Sequence, residues 1–449
     1  MDERDYTRQL ASYVVETKYK DLPDEVINKA KLCILDWYGA SLAGRNEKEV
    51  RITYDFINEI GGKEQCTIVG FNKKSSCVNA ALINGMMAHV FEFDDVHEAS
   101  IYHPGAPIIS AALAVAEKEK MSGKDLLLAI VLGYEVSIRI GESVGSSHYR
   151  YWHTTGTCGT FGAAVAAGKL LSLSEEQMLF CLGNAGTQAS GLWEFGRDGA
   201  MSKVLHVGKA AVNGIIAALL ARKSFTGAKK ILEGDRGFCR ATSDDFNLLK
   251  LVARLGAEYK ILGVSFKAYP SCRHTHSSID ACLNIISNNI NYRNIDTIQV
   301  RTYSQAIATA GNKHPKTERE AKFSIPFCIA VALKYGKVSV TEFNKKVLKD
   351  QEITELISKV RLIGDKTIEE RYPLEWRAIV EVQTYSGHTY TEEVAFPIGH
   401  PHNPLHEKDI ILKYKEIIDS DLRDRLVNFN TELIDLENSS DITSLMIGL

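Results

Sequence analysis

Along residues 1–265 apolar side chains recur at three- and four-residue intervals, the spacing of one helix face after another. Pro23-Asp24-Glu25 opens one such stretch, with proline early and acids in the first turn. Val26, Ile27, Ala30, Cys33, Ile34 and Trp37 follow at helical spacing, and Gly44 is the stop. The same pattern predicts helices over 78–90, 107–118, 124–144 and 207–223. Ser174-Glu175-Glu176-Gln177 is a capping box ahead of another. Two stretches are rich in small residues: Gly156, Gly159, Gly162, Ala163, Ala164, Ala166 and Ala167 in one, Gly208, Ala210, Ala211, Gly214, Ala217 and Ala218 in the other. Small side chains let helix axes approach closely, so these helices are expected to be central and almost wholly buried.

Past the middle of the chain the period changes to two. Residues 296–303, 378–385 and 389–396 alternate as strands do, the last two flanking a Ser386-Gly387 turn that predicts a hairpin. Residues 327–335 between them are helical, and from Glu407 the helical pattern returns. The fold class expected is mainly α: a large all-helical domain, residues 1–265 and 398–449, interrupted by a smaller α+β domain, residues 266–397.

Composition narrows the function classes. The chain has 449 residues, 45% of them hydrophobic and 24% charged, with a formal net charge of -3. That balance is globular and gives no reason to expect nucleic acid or a membrane as a partner. The charged start Met1-Asp2-Glu3-Arg4-Asp5 is not a secretory signal, and the charge-free apolar run Pro104–Ala116 falls short of the roughly 18 residues of a membrane span. Nine scattered cysteines without a C-x-x-C pair read as reduced, mostly buried thiols of a cytoplasmic protein.

Four polar clusters interrupt the apolar helices. Glu92-Phe93-Asp94-Asp95-Val96-His97 and His103-Pro104-Gly105 lie between two predicted helices, hence on a loop. Acids beside histidine give an acid or base of adjustable pKa, although helix capping by solvated acids explains the carboxylates equally well. Tyr149 to Gly156 surrounds His153 with aromatics just before a glycine-rich helix start. Its G-x-x-G-x-x-G spacing follows no strand and is better explained by helix packing than by a dinucleotide. Lys203 opens a helix, where a cation is unfavourable unless an anion compensates it or the side chain reaches solvent. Lys267 to His276 places two cations and two histidines in ten residues at the domain junction, a favoured place for ligands and also for a plain hinge. His274-x-His276 lacks the partners of a metal motif, Asp94-Asp95-Val96-His97-Glu98 lacks the second magnesium helix of a prenyl-diphosphate enzyme, and spacing alone does not make Cys158 or Cys272 a nucleophile.

Together the clusters resemble the MmgE/PrpD family, which includes 2-methylcitrate dehydratase, cis-aconitate decarboxylase and iminodisuccinate epimerase. The similarity runs from Cys33-Ile34-Leu35-Asp36 to Asn403-Pro404-Leu405. It is most specific at Ala88-His89 through Asp94-Asp95 to His103-Pro104, at Thr155 to Thr160, at Lys203 to Ala211 and at Phe266 to Pro270. The resemblance implies that the α+β domain is a lid, that the protein is a homodimer without cofactor or metal, and that Glu92, His103, His153, Lys203 and Lys267 face the substrate. Three positions depart from the decarboxylase pattern: Val96 for a threonine, Cys272 for a histidine and Phe327 for a tyrosine.

The chemistry implied is a lyase, of dehydratase type, acting on a 2-methylcitrate-like di- or tricarboxylate. Proton abstraction beside a carboxylate puts charge on that carboxylate, so cations must already be aimed at it. His103 is the candidate acid/base, oriented by Glu92 or Asp94, with His153 as a second proton carrier or a hydrogen-bond donor and Lys203 beside them. Lys267, Arg273, His276 and Cys272 are candidate substrate-binding residues, arginine being suited to a bidentate grip. A dicarboxylate epimerase, a cis-aconitate-type decarboxylase and a non-catalytic binding protein are the alternatives.

Overall fold

The computed structural model describes residues 5–447. The chain forms two compact units, one running to Val264 and resuming at His406, the other spanning Ser265–Leu405.

The first unit is built on the small-residue helices. Ser202–Arg222 packs along Thr154–Leu170 and Cys77–His89, and Thr154–Leu170 packs in turn against Gly123–His148 and Gly105–Glu119. The approach is as close as backbones allow. A Cβ at Gly208 would stand 2.4 Å from the carbonyl oxygen of Leu82, and one at Gly214 would stand 2.5 Å from both Ala163 Cβ and Ala164 N. Ser202–Arg222 is long and apolar enough to cross a bilayer by composition, yet most of it is buried against these neighbours. It begins five residues before the position that hydrophobic spacing predicts (202 against 207), because polar Ser202-Lys203 already belongs to its first turn. The C-terminal helices Glu407–Lys415 and Arg423–Ile434 return to cover Asp24–Gly44. All nine cysteines are buried and unbridged.

The expectation of an all-helical domain needs correction, since Val96–His97 is a two-residue strand and a strand pair lies earlier in the chain. Cys66–Ile68 pairs antiparallel with Lys73–Ser75. Three-residue strands, one of them beginning with two exposed lysines, carry no readable period of two. The helices Tyr6–Glu16 and Lys48–Ile60 are likewise additions to those predicted.

The second unit holds a mixed four-stranded sheet, in the order Val360–Gly364, Ile295–Thr302, Ala378–Thr384, Thr389–Val394. The outer pair Val360–Gly364 and Ile295–Thr302 is parallel, and the other neighbours are antiparallel. The predicted hairpin is present, with Gly387 at φ +85° in its turn, where a side chain would strain the backbone. His276–Ile286 packs on this sheet and against Ile325–Tyr335.

The packing makes a prediction. Gly214→Ala puts its methyl group into helix backbone that cannot yield, so it is expected to cost about 1–3 kcal/mol and lower the melting temperature measured by circular dichroism. Gly196→Ala, which meets nothing within 4 Å, is the neutral control.

Candidate active site

Helix Cys77–His89 ends at the first polar cluster, and Glu92 then takes a left-handed conformation, φ +58°. For a residue with a side chain this is strained, and such strain persists where surroundings impose it. Here the Glu92 amide donates to the His89 carbonyl at 3.0 Å, and the Glu92 carboxylate pairs with the ammonium group of Lys203. Both side chains are buried. The anion that a lysine in the first turn of a helix calls for is therefore supplied by the protein itself.

The rest of the loop is tied down in the same manner. The carboxylate of Asp94 accepts a 2.7 Å hydrogen bond from Nδ1 of His89, and its other oxygen lies 3.8 Å from Nδ1 of His103. His103 Nδ1 lies 2.7 Å from the backbone carbonyl of Asp95. A carbonyl only accepts, so Nδ1 of His103 carries the proton and Nε2 is the nitrogen available for proton exchange. The amide of His103 donates to the Thr155 hydroxyl at 3.2 Å, which fixes the loop to helix Thr154–Leu170. The group that orients His103 is thus the Asp95 carbonyl, while Glu92 serves Lys203 and Asp94 serves His89.

Asp95 has a structural part. Its carboxylate accepts from the Tyr134 hydroxyl at 2.7 Å and from the Gly105 amide at 2.9 Å, at the start of helix Gly105–Glu119. Burial, and then the nearby Asp36 and Asp94, push its carboxyl up to about 8. Asp36 is in turn held by Lys413 at 2.5 Å and by the Tyr414 hydroxyl at 3.0 Å. Lys413 and Tyr414 also donate to the Phe93 carbonyl, so helix Glu407–Lys415 braces the loop from behind.

Around His103 stand three more imidazoles. His89 lies 5.1 Å from His103 and 5.8 Å from His153, and His153 lies 5.6 Å from His206, between ring centres. His153, only 2% exposed, caps helix Thr154–Leu170 and packs against Trp193 and Phe195. Burial first, then the charge of Lys203, keeps its pKa well below the ordinary value, so it is neutral. A neutral imidazole donates or accepts a hydrogen bond but is a poor acid, which favours the donor role over the proton-carrier role for His153.

The first unit therefore brings together Glu92, Asp94, His103, His153 and Lys203. His89 and His206 join them, although cluster spacing did not mark either as a site residue. Lys203 and His206 are three residues apart on one helix face, a signal that was available; His89 reads as the end of an apolar helix, and only tertiary contact gives it a role. Cys158 is buried, and that burial pushes its thiol up, away from the reactive thiolate.

The remaining candidates lie in the second unit, and all four are buried there. His276 Nδ1 accepts from Arg273 at 3.0 Å, and Arg273 also donates to the Ile398 carbonyl. His274 stacks on Trp376 at 4.3 Å and bonds the Tyr303 hydroxyl. Burial, then Lys267, lowers its pKa to about 3. Nδ1 of His274 and Nδ1 of His276 thus serve separate partners. Phe327, where the decarboxylase pattern has tyrosine, packs in the core against Phe343.

Among the described residues, His89, Asp94 and His103 offer one ligand atom each within 4.8 Å of one another, so they could hold a metal ion. Two ligands at zinc distances, about 2.0–2.2 Å from the ion, stand roughly 3.3 Å apart in a tetrahedron. His89 and Asp94 at 2.7 Å have the spacing of a hydrogen bond instead.

Comparison with known proteins agrees over most of the length. Residues 8–249 match the MmgE/PrpD N-terminal domain and residues 269–428 the MmgE/PrpD C-terminal domain. The chain is similar to the cis-aconitate decarboxylase-like protein oryM of Aspergillus oryzae, 27% identical across 99% of this chain and 97% of that protein. It is also similar to the cis-aconitate decarboxylase of Homo sapiens, 27% identical across 98% and 94%. With the 2-methylcitrate dehydratase of Escherichia coli it shares 22% identity across 72% and 71%. These relatives carry the names of lyases, and with both of the family's domains matched in order along one chain, the protein belongs to the MmgE/PrpD family.

Proposed function

We propose that this protein is a lyase that dehydrates a small 2-methylcitrate-like di- or tricarboxylate, starting from proton abstraction beside a carboxylate. The observation that carries the reading is His103. It has a fixed tautomer, lies on a braced loop, and stands in a buried group that also contains Glu92, Asp94, His153 and Lys203. A base must present a lone pair and be held still to take a proton from carbon, and the hydrogen bond to the Asp95 carbonyl fixes the tautomer that leaves Nε2 to do so. Nε2 of His103 removes the α-proton, and the charge that develops on the adjacent carboxylate is met by ammonium and guanidinium groups. Lys203 is our candidate for meeting that charge. The proton then passes from His103 to the departing hydroxyl. The C–H and C–O bonds break, a C=C bond forms, and water leaves.

A second reading is favoured by the nearly full-length similarity to proteins named cis-aconitate decarboxylases. There a C–C bond breaks, carbon dioxide leaves, and the imidazolium of His103 protonates the carbanion. Val96, Cys272 and Phe327, which depart from that pattern, weaken the case for decarboxylation.

Incubation of the protein with 2-methylcitrate, citrate and cis-aconitate in deuterated water, followed by proton NMR and absorbance, tests the assignment. New alkene from a hydroxy acid supports dehydration, and carbon dioxide from cis-aconitate supports the second reading. Deuterium exchange with no new alkene supports an epimerase, and binding without any turnover supports a carrier. His103→Ala is expected to lower turnover about 10²-fold or more; near-normal turnover removes His103 from the mechanism. Turnover is also expected to survive dialysis against a strong chelator. Its loss on dialysis and return with a divalent ion would assign that ion to His89, Asp94 and His103.

A further inference from the structure

A cleft of the first unit lies outside the candidate active site. Its volume is about 470 Å³, and residues of helices Asp24–Gly44, Glu407–Lys415 and Arg423–Ile434 line it. Small-molecule sites span roughly 300–1,000 Å³ and combine apolar walls with a few convergent polar groups. Both are present. Leu32 and Leu35 line the cleft from one helix, and Leu433 and Ile434 from another, with Ile434 58% exposed. Lys31, Glu407 and Asn430 bring polar groups to the same space. The cleft shares no lining residue with the imidazole group around His103.

The two fixed charges on the cleft differ in what they lack. The Lys31 ammonium lies 2.5 Å from a carboxylate oxygen of Glu437 and donates to the Ile434 carbonyl at 2.5 Å, so its charge is matched within the fold. The Glu407 carboxylate accepts from the Asn430 amide at 2.7 Å, and no cation among the described residues is within ion-pair distance of it. Glu407 stands in the first turn of its helix, where the dipole favours an anion, which explains an acid there but not the apolar walls beside it. His406 adds an imidazole, which is not a fixed charge. A carboxylate ligand would be repelled by Glu407, and an uncharged one would leave that carboxylate without a counter-charge. An ammonium group on an apolar body satisfies wall and rim together.

We propose that this cleft binds a small amphipathic amine, with its hydrocarbon body against Leu32, Leu35, Leu433 and Ile434 and its ammonium group on Glu407. The site does not depend on the lyase reading, and binding rather than turnover decides it.

Titration with 2-phenylethylamine and with 2-phenylethanol, of similar shape but without the charge, followed by ligand-observed NMR at low salt, tests the site. The intact protein is expected to bind the amine about threefold more tightly than the alcohol, as one partly exposed ion pair gives. Glu407→Gln should erase that ratio and leave affinity for the alcohol within about twofold. This variant keeps an oxygen to accept from Asn430, so the contact between the two helices is preserved. Leu32→Trp, which fills the cleft, should abolish binding of both compounds. Leu35 is left unchanged because it adjoins Asp36, which belongs to the brace behind the candidate-site loop. Three outcomes overturn the proposal: neither compound binds the intact protein at millimolar concentration, the two bind it equally, or the amine preference persists in Glu407→Gln or Leu32→Trp with a native circular dichroism spectrum.

Discussion

The closeness of three helices governs everything else in the first unit. Cys77–His89, Thr154–Leu170 and Ser202–Arg222 meet through glycine and alanine, near enough that at Gly208 and Gly214 a single added carbon would collide with backbone. Each of these helices contributes an end rather than a middle to the candidate site. His89 stands at the end of one, His153 caps the second, and Lys203 and His206 occupy the opening turns of the third. Wider axes, as leucine at those positions would impose, would move these groups apart. The small-residue surface is therefore a positioning device as much as a packing one.

Bringing charges into such an interior is costly unless each finds a partner. The loop after His89 meets that condition group by group: Glu92 with Lys203, Asp94 with His89, Asp95 with Tyr134 and a helix amide, and Asp36 with Lys413 behind them. Among the buried atoms that lack a hydrogen-bond partner are three imidazole nitrogens of the same group of side chains, and one oxygen of Asp36 is another. Side chains fixed by such pairs are the arrangement expected of a pre-organised site, because the fixed part needs no reorganisation when a ligand arrives. The strained φ of Glu92 occurs at the residue that pairs with Lys203.

Membership of the MmgE/PrpD family and the geometry around His103 support each other without depending on each other. Family similarity comes from the order of short motifs along most of the chain, whereas the proton-exchanging nitrogen of His103 follows from one hydrogen bond to a carbonyl. Cofactor-free lyase chemistry needs a base with a fixed tautomer and cations near the reacting carbon. The first requirement is met at His103 by local geometry alone.

Periodicity in the sequence was sufficient for the long elements. The central helices, the Ser174 capping box and the hairpin around Gly387 all follow from local rules, since a helix face, a cap and a turn are decided by residues a few positions apart. The Cys66–Ile68 and Lys73–Ser75 pair stayed hidden because strands of three residues leave no period to detect. For the site, residue chemistry alone nominated Glu92, Asp94, His103, His153 and Lys203, since acids, imidazoles and cations stand out against apolar helices. What it could not assign was who pairs with whom. Glu92 and Asp94 were each plausible partners for His103, yet long-range contact gave one to Lys203, the other to His89, and left His103 to a backbone carbonyl. Glu92 and Lys203 are 111 residues apart in the chain. Partnership over such a separation is set by helix packing, and no local pattern encodes it.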